Sequence, residues 1–367
     1  MDITLVVRPS AGGIRQHVQW LVEALPSCAF TLRANPGFWK NSLPKNVSFV
    51  PFNIQSSTHP LIDYKAIREL RSELGNTQVV HAHGVRAGLI GCIAARQANI
   101  PSILTVHNSI TNASLLQKLA LQIVFKSSSV IIAVSQAVAD SLLKLGAPNS
   151  SIQVIGNGIP LHSFPYGRLR DKARAALNLP QQAHVVIALG RLSPEKGFDL
   201  LSESMAIVRE TYPDSFLLLG GTGTEESKLS LLLENHPKNR MCGYIDNPAS
   251  FLSAGDVVVI PSRTEGQSLV ALEAMALGIP VVASAVGGLI ETLGAGRYGI
   301  LTEAESPKAV ATGILKILHD DIGNSELIKS ARNYVENTYS LDIMSNRVSR
   351  VYTEIAERKN ATSRRSS

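Results

Sequence analysis

Short, mainly apolar runs at 3–7, 47–52, 79–81, 103–107, 130–134 and 152–155 predict six strands in the first half of the chain. Stretches of helical period stand between them, such as 14–25, which Pro26 ends. The second half repeats the pattern at 184–189, 215–219, Val257–Ile260 and 280–284, with weaker runs at 240–242 and 299–301. Strands alternating with helices predict parallel sheets built from right-handed β-α-β units. Two such series predict an α/β protein of two doubly wound domains, 1–160 and 161–340, with ligands at the carboxyl ends of the strands in an interdomain cleft. The boundary is placed where periodicity lapses, at Gly156-Asn157-Gly158-Ile159-Pro160 and across 165–172. A last helical pattern, 341–356, precedes a polar tail, 358–367, that is expected to be disordered.

Composition narrows the class. A chain of 367 residues with 45 % hydrophobic and 17 % charged residues can bury two cores. No apolar run approaches the roughly 18–20 residues that span a bilayer. Residues 1–7 lack a basic leader and read as a strand rather than a signal peptide. Cys28, Cys92 and Cys242 have no ligand spacing and fit reduced thiols in a cytoplasmic protein. Residues 1–160 carry 13 Lys/Arg against 6 Asp/Glu, and the remainder 22 against 23. The surplus of positive charge therefore belongs to the first half, where it is either solubility charge or a surface for an anionic acceptor or membrane. Sparse aromatics, 5 % of the chain, argue against nucleic acid as a partner.

The densest chemistry lies after Val257–Ile260. Glu265 stands in a glycine turn, Gly266, Gln267, Ser268 and Leu269 follow, and Glu273 is expected about two turns into the next helix. Free backbone N–H groups at a helix start suit an anion, and carboxylates accept from hydroxyls. Then come Ala274-Met275-Ala276-Leu277-Gly278-Ile279-Pro280, Gly287-Gly288 and Glu291. This ordered stretch resembles the C-terminal signature of the retaining glycosyltransferases of family 4, a group with the GT-B fold and nucleotide-sugar donors.

The resemblance covers most of 3–355 and implies a GT-B architecture, two Rossmann-like domains facing a cleft, with helix 341–356 crossing back onto the first. It implies that Glu265 binds sugar hydroxyls, that the Gly266–Leu269 amides meet sugar and phosphate, and that Glu273 holds the ribose. Arg191 and Lys196, in Gly190-Arg191-Leu192-Ser193-Pro194-Glu195-Lys196-Gly197, look like the family's diphosphate clamp; a guanidinium fork and a compact ammonium suit that role. Pro9-Ser10-Ala11-Gly12-Gly13 looks like its phosphate-side loop, although Gly12-Gly13 could equally be a tight turn. Gly221 and Gly223 match a Gly-x-Gly beside the nucleotide, or form a structural turn. His107 looks like the histidine that touches the transferred sugar, with Asn108 where relatives commonly have Asp. His83 and His17 match family positions, and either could be a packed structural residue. Gln267 replaces an aromatic residue found in many members.

The implied reaction passes a glycosyl group from a nucleoside-diphosphate sugar, by family prevalence a UDP-sugar, to an acceptor hydroxyl with retention. No Asp-x-Asp triplet occurs, which agrees with a site needing neither metal nor other cofactor. Metal binding by His81, His83 and His107 is a lesser reading because no carboxylate or thiolate accompanies them. The expected acceptor is a glycan or lipid-linked molecule of bacterial envelope synthesis, such as lipopolysaccharide or exopolysaccharide. The stretch 109–126 reads as an amphipathic helix, packed in the core or touching the inner face of the membrane. Two other readings remain: a UDP-sugar epimerase of similar shape, which needs no acceptor, and a non-catalytic partner that only binds nucleotide-sugars.

Overall fold

The computed structural model describes residues 1–366 apart from 9–11, 40–42, 56–58, 111–112 and 168. The chain divides into two compact units, Met1–Gly158 with Leu341–Ser367, and Ile159–Ser340. The first holds a parallel sheet of β1 (Asp2–Val7), β2 (Ala29–Ala34), β3 (Val47–Pro51), β4 (Val79–His83), β5 (Ser102–Val106), β6 (Val130–Ala133) and β7 (Ile152–Val154). Its spatial order is β3-β2-β1-β4-β5-β6-β7. The apolar pattern predicted no strand at β2, because Thr31 and Arg33 interrupt Phe30 and Leu32. Arg33 is tolerated there because its buried guanidinium pairs with Glu73.

One face of this sheet is covered by the helices Pro60–Ser72, Val85–Gln97, Leu115–Ser127 and Gln136–Lys144, which bury Leu70, Ile90, Val124 and Leu142. The other is covered by Gly13–Ala24 and by Leu341–Ser366, which places Met344, Val348, Val351, Tyr352 and Ile355 against Leu5 and Leu21. Those five positions follow helical spacing along one side. The helix continues to Ser366, so the polar segment from Arg358 is helical where disorder was expected. Once the packed turns have nucleated the helix, residues such as Glu, Arg, Lys and Ala extend it readily.

The second unit holds a parallel sheet of β8 (Val185–Leu189), β9 (Phe216–Gly220), β10 (Asn239–Met241), β11 (Val257–Ile260), β12 (Val281–Ser284) and β13 (Ile300–Thr302), ordered β10-β9-β8-β11-β12-β13. Its amino-end edge is tied by Arg174, fully buried, which donates to the Ala254 and Ala183 carbonyls and to both oxygens of Asp256. Both sheets are doubly wound. Their orders reverse between β1 and β4 and between β8 and β11, and at such switch points loops diverge and leave room for a ligand. Among the described residues no helix is long and apolar enough to cross a membrane.

Candidate functional site

In the second unit, the loops leaving β8 and β11 at the switch point carry the residues singled out above. After β8 the chain makes a short 3-10 turn, Pro194–Lys196, and Gly197 then adopts φ 64°, where a Cβ would lie 2.1 Å from the Pro261 carbonyl oxygen. That close passage brings Lys196 against the loop after β11. Its Nζ donates to Glu265 Oε2 at 2.6 Å, and Ser262 Oγ donates to the same oxygen at 3.2 Å. Glu265 is buried, so its charge rests on these two donors. Arg191 is more open and stands 3.7 Å from Glu195, a loose surface pair.

Arg263 fastens the two loops together. It donates in a bidentate fork to Asp199 at 2.9 Å each, to the Pro194 carbonyl at 2.8 Å and to Glu305 at 2.7 Å. Asp199 raises the guanidinium's pKa further, and Arg263 in turn lowers that of the Asp199 carboxyl. Sequence reasoning gave neither residue a role, since nothing in their spacing pairs 199 with 263.

Ser268 caps the helix Leu269–Leu277, accepting from the Ala271 N–H at 3.3 Å, and the first amides of that helix have no intrahelical acceptor. Glu273 is the fifth helical residue, little more than one turn in rather than two, because the turn through 261–268 is not helical. The helix is otherwise apolar, and burial raises the Glu273 carboxyl to about 7 with no partner charge to offset it. Gly287 passes so close to Glu265 that a Cβ would lie 2.2 Å from its carbonyl oxygen, which accepts from Gly288 at 3.0 Å. Gly221 and Gly223 are likewise filled by protein: their Cβ atoms would fall 1.8 Å from the Gly190 oxygen and 2.2 Å from the Leu192 oxygen. These two glycines therefore shape the loop that carries Arg191.

In the first unit, the switch point holds Gly12, Gly84 and a row of histidines. Gly12 and Gly84 start the helices Gly13–Ala24 and Val85–Gln97 at φ 87° and 85°, each with open space where a side chain would stand. Pro9, Ser10 and Ala11 lie outside the described residues. His83 at the end of β4 and His107 just past β5 share a contact of 3.3 Å between Nδ1 and Nε2. The His17 ring meets the His107 ring edge-on at 4.9 Å between centroids. His81 stacks on His83 at 4.2 Å and spends both nitrogens at 2.7 Å, on the Tyr352 hydroxyl and on Thr105.

All four imidazoles are buried, and desolvation is the main force holding each neutral. His17 is lowered to about 4, with the Asn157 side chain pulling the other way, and His81 to about 3, with His17 as a second cause. His83 and His107 fall well below their ordinary value. Both His17 nitrogens and His83 Nε2 lack a protein hydrogen bond of ordinary geometry. Ligand atoms of His17, His83 and His107 lie within 4.8 Å of one another, the one such group among the described residues. The trio drawn from the sequence is thus corrected: His81 is spent on Tyr352 and Thr105, and His17 takes its place. Neutral imidazoles could hold a metal, although tetrahedral zinc would draw its nitrogens to about 3.4 Å apart.

Residues 170–339 match the sequence profile "Glycosyl transferases group 1", and residues 11–163 match "Glycosyltransferase Family 4". A D-inositol 3-phosphate glycosyltransferase 1 of Catenulispora acidiphila is 32 % identical over 67 % of this chain and 65 % of its own length. A putative teichuronic acid biosynthesis glycosyltransferase, TuaC of Bacillus subtilis, is 30 % identical over 68 % of this chain and 63 % of its own. The chain thus spans less than two thirds of the length of these two relatives. Among solved structures, Anabaena Alr3699/HepE in complex with UDP-glucose superposes with a TM-score of 0.84 over 96 % of this chain and 99 % of that one, at 20 % identity.

Proposed function

The chain belongs to the group 1, family 4 glycosyltransferases with the GT-B fold, and on that premise we propose that it moves a glycosyl group from a UDP-sugar to an acceptor hydroxyl with retention of configuration. The observation that carries this reading is the Lys196–Glu265 pair, 2.6 Å apart at the second unit's switch point, with the buried Glu273 carboxyl on the helix that follows. A phosphate would compete with Glu265 for Lys196, and a carboxylate so released is an acceptor for sugar hydroxyls. Arg191, exposed and loosely held, adds a second cation, and the amides opening the helix Leu269–Leu277 add a third source of positive potential. Glu273 accepts from the ribose hydroxyls, and Gly12-Gly13 give the first unit room for phosphate or sugar.

In the proposed step the bond between the anomeric carbon and the diphosphate oxygen breaks, and the acceptor oxygen bonds that carbon on the same face. The acceptor's proton passes to the leaving phosphate oxygen, so no side-chain base is assigned. Lys196, Arg191 and the helix amides stabilise the charge that develops on the diphosphate, and no metal is assigned to this role. His107, held neutral, hydrogen-bonds and positions the transferred sugar. A UDP donor is supported by the UDP-glucose bound to Alr3699/HepE, and an envelope glycan acceptor by the likeness to TuaC. The three free cysteines support a cytoplasmic location. Purified protein incubated with radiolabelled UDP-, GDP- and ADP-sugars should slowly hydrolyse the UDP-sugar. Binding without any hydrolysis or transfer would overturn the catalytic reading.

A further inference from the structure

The helix Leu115–Ser127 is apolar on two sides, and the fold uses one. Leu121, Val124 and Phe125 are buried against the first sheet. Leu115, Leu116, Leu119 and Ile123 remain 74, 79, 55 and 53 % exposed. At roughly 100° per residue these four fall within an arc of about 100°, a continuous aliphatic stripe. A capping box between Ser114 and Gln117 fixes the first turn, so the leucines stand on an ordered helix. The helix Val85–Gln97 packs against both this helix and Pro60–Ser72, whose start exposes Leu61, Ile62 and Tyr64. In a parallel sheet the helices after β3 and β5 both begin at the carboxyl edge of the strands, the edge that carries His83 and His107.

The charge around this stripe is predominantly positive. Residues 74–139 contain no Asp or Glu, while Arg86, Arg96, Lys118 and Lys126 lie within them. Arg86 is spent on the buried Asp63, but Lys118 and Lys126 sit on the striped helix, and Arg96 reaches its last turn by donating to the Lys126 carbonyl at 3.1 Å. On the flanking helix Lys65, Arg68 and Arg71 outnumber the exposed Glu69.

We propose that this face of the first unit docks on an anionic lipid bilayer, with Leu115, Leu116 and Leu119 among the acyl chains and Lys118, Lys126 and Arg96 at the headgroups. Aliphatic side chains ringed by lysine and arginine are the chemistry of an interfacial helix. A two-fold pair of such faces would set cation against cation, which disfavours a second copy of this chain as the occupant.

The test uses the whole protein and vesicles of phosphatidylcholine, with or without about one third phosphatidylglycerol. Wild type should sediment with the anionic vesicles at low salt and lose binding severalfold in neutral vesicles or at high salt, at about fivefold per basic residue engaged. Leu116→Ser with Leu119→Ser should weaken binding at least tenfold, and Lys118→Glu with Lys126→Glu should do so in anionic vesicles alone. Docking stands apart from the donor reaction, so unchanged donor hydrolysis in these variants certifies their fold. Failure of wild type to bind anionic vesicles would overturn the proposal, as would equal binding by the leucine variant. So would a dimer in sedimentation velocity that the leucine variant abolishes, which would identify a second copy as the occupant.

Discussion

The two units place opposite electrostatics at the same topological position. At its switch point the first gathers four neutral imidazoles with no carboxylate among the described residues there; the second gathers a cation–carboxylate pair and a buried carboxyl. Their glycines differ in the same sense. Gly12 and Gly84 open onto empty space, whereas Gly221 and Gly223 are filled by the backbone of their own unit. On the proposed reading, one surface meets hydroxyls and the other meets charge. The lesson is that a doubly wound sheet dictates where a ligand lies and leaves its chemistry to a few loop residues.

The sharpest way to break this contrast is to remove the cation. Lys196→Ala should cut donor hydrolysis by about a hundred- to a thousandfold, the usual cost of deleting a group that stabilises developing charge, while far-UV circular dichroism stays native. Turnover at the wild-type rate in that variant would remove the second unit from the chemistry. Next in size is Gly221→Ala, whose new Cβ meets a carbonyl oxygen at φ 135°. It should destabilise the second unit by about 3 kcal/mol or more, against about 1–3 kcal/mol for Gly12→Ala, which has only its backbone conformation to overcome. Chemical denaturation of both variants measures the difference, and equal losses would erase the distinction between filled and open glycines.

Acidity should separate the units with opposite signs. Histidines whose folded pKa is depressed give the first unit stability that is full above about 6.5 and is lost as pH falls toward 4. Glu273, raised to about 7, penalises the second unit as pH climbs from the ordinary carboxyl value of 4.5 through 7. Each group contributes about 1.4 kcal/mol per pH unit within its window. Both tryptophans, Trp20 and Trp39, belong to the first unit. Tryptophan fluorescence melts should therefore drop between pH 7 and 5, less steeply in His17→Gln. Glu273→Gln should instead stabilise the second unit at pH 8 and leave it unchanged at pH 5. A tryptophan melt indifferent to acid would contradict the neutral row of imidazoles.

Apolar runs made most of this architecture legible. Val257–Ile260 is bounded in the structure as in the sequence, because a strand buried on both faces has no polar position to blur it. β2 escaped because Arg33 finds its partner 40 residues away, and no local pattern can announce that. The helical tail past Arg358 escaped because its polar sequence carries no apolar periodicity. At the site, Lys196 and Glu265 were legible as residue types in suggestive loops, but their 2.6 Å pairing across 69 residues was not. The clamp of Arg263 on Asp199 left no trace in spacing, and His17 entered the histidine row only once its helix packed beside β4 and β5.

The Tyr352 hydroxyl on His81 sets a timetable for this molecule. His81 stacks on His83, which touches His107, so an anchor 271 residues downstream braces a row laid down early in synthesis. The same helix supplies Met344, Val348 and Ile355 to the sheet face that β1 begins. In a nascent chain emerging amino end first, Gly13–Ala24 can cover its part of that face early, but the part under Leu341–Ser366 stays open until that helix is released, and the second unit can fold during the wait. The amino-terminal unit is thus completed only after the second has been made.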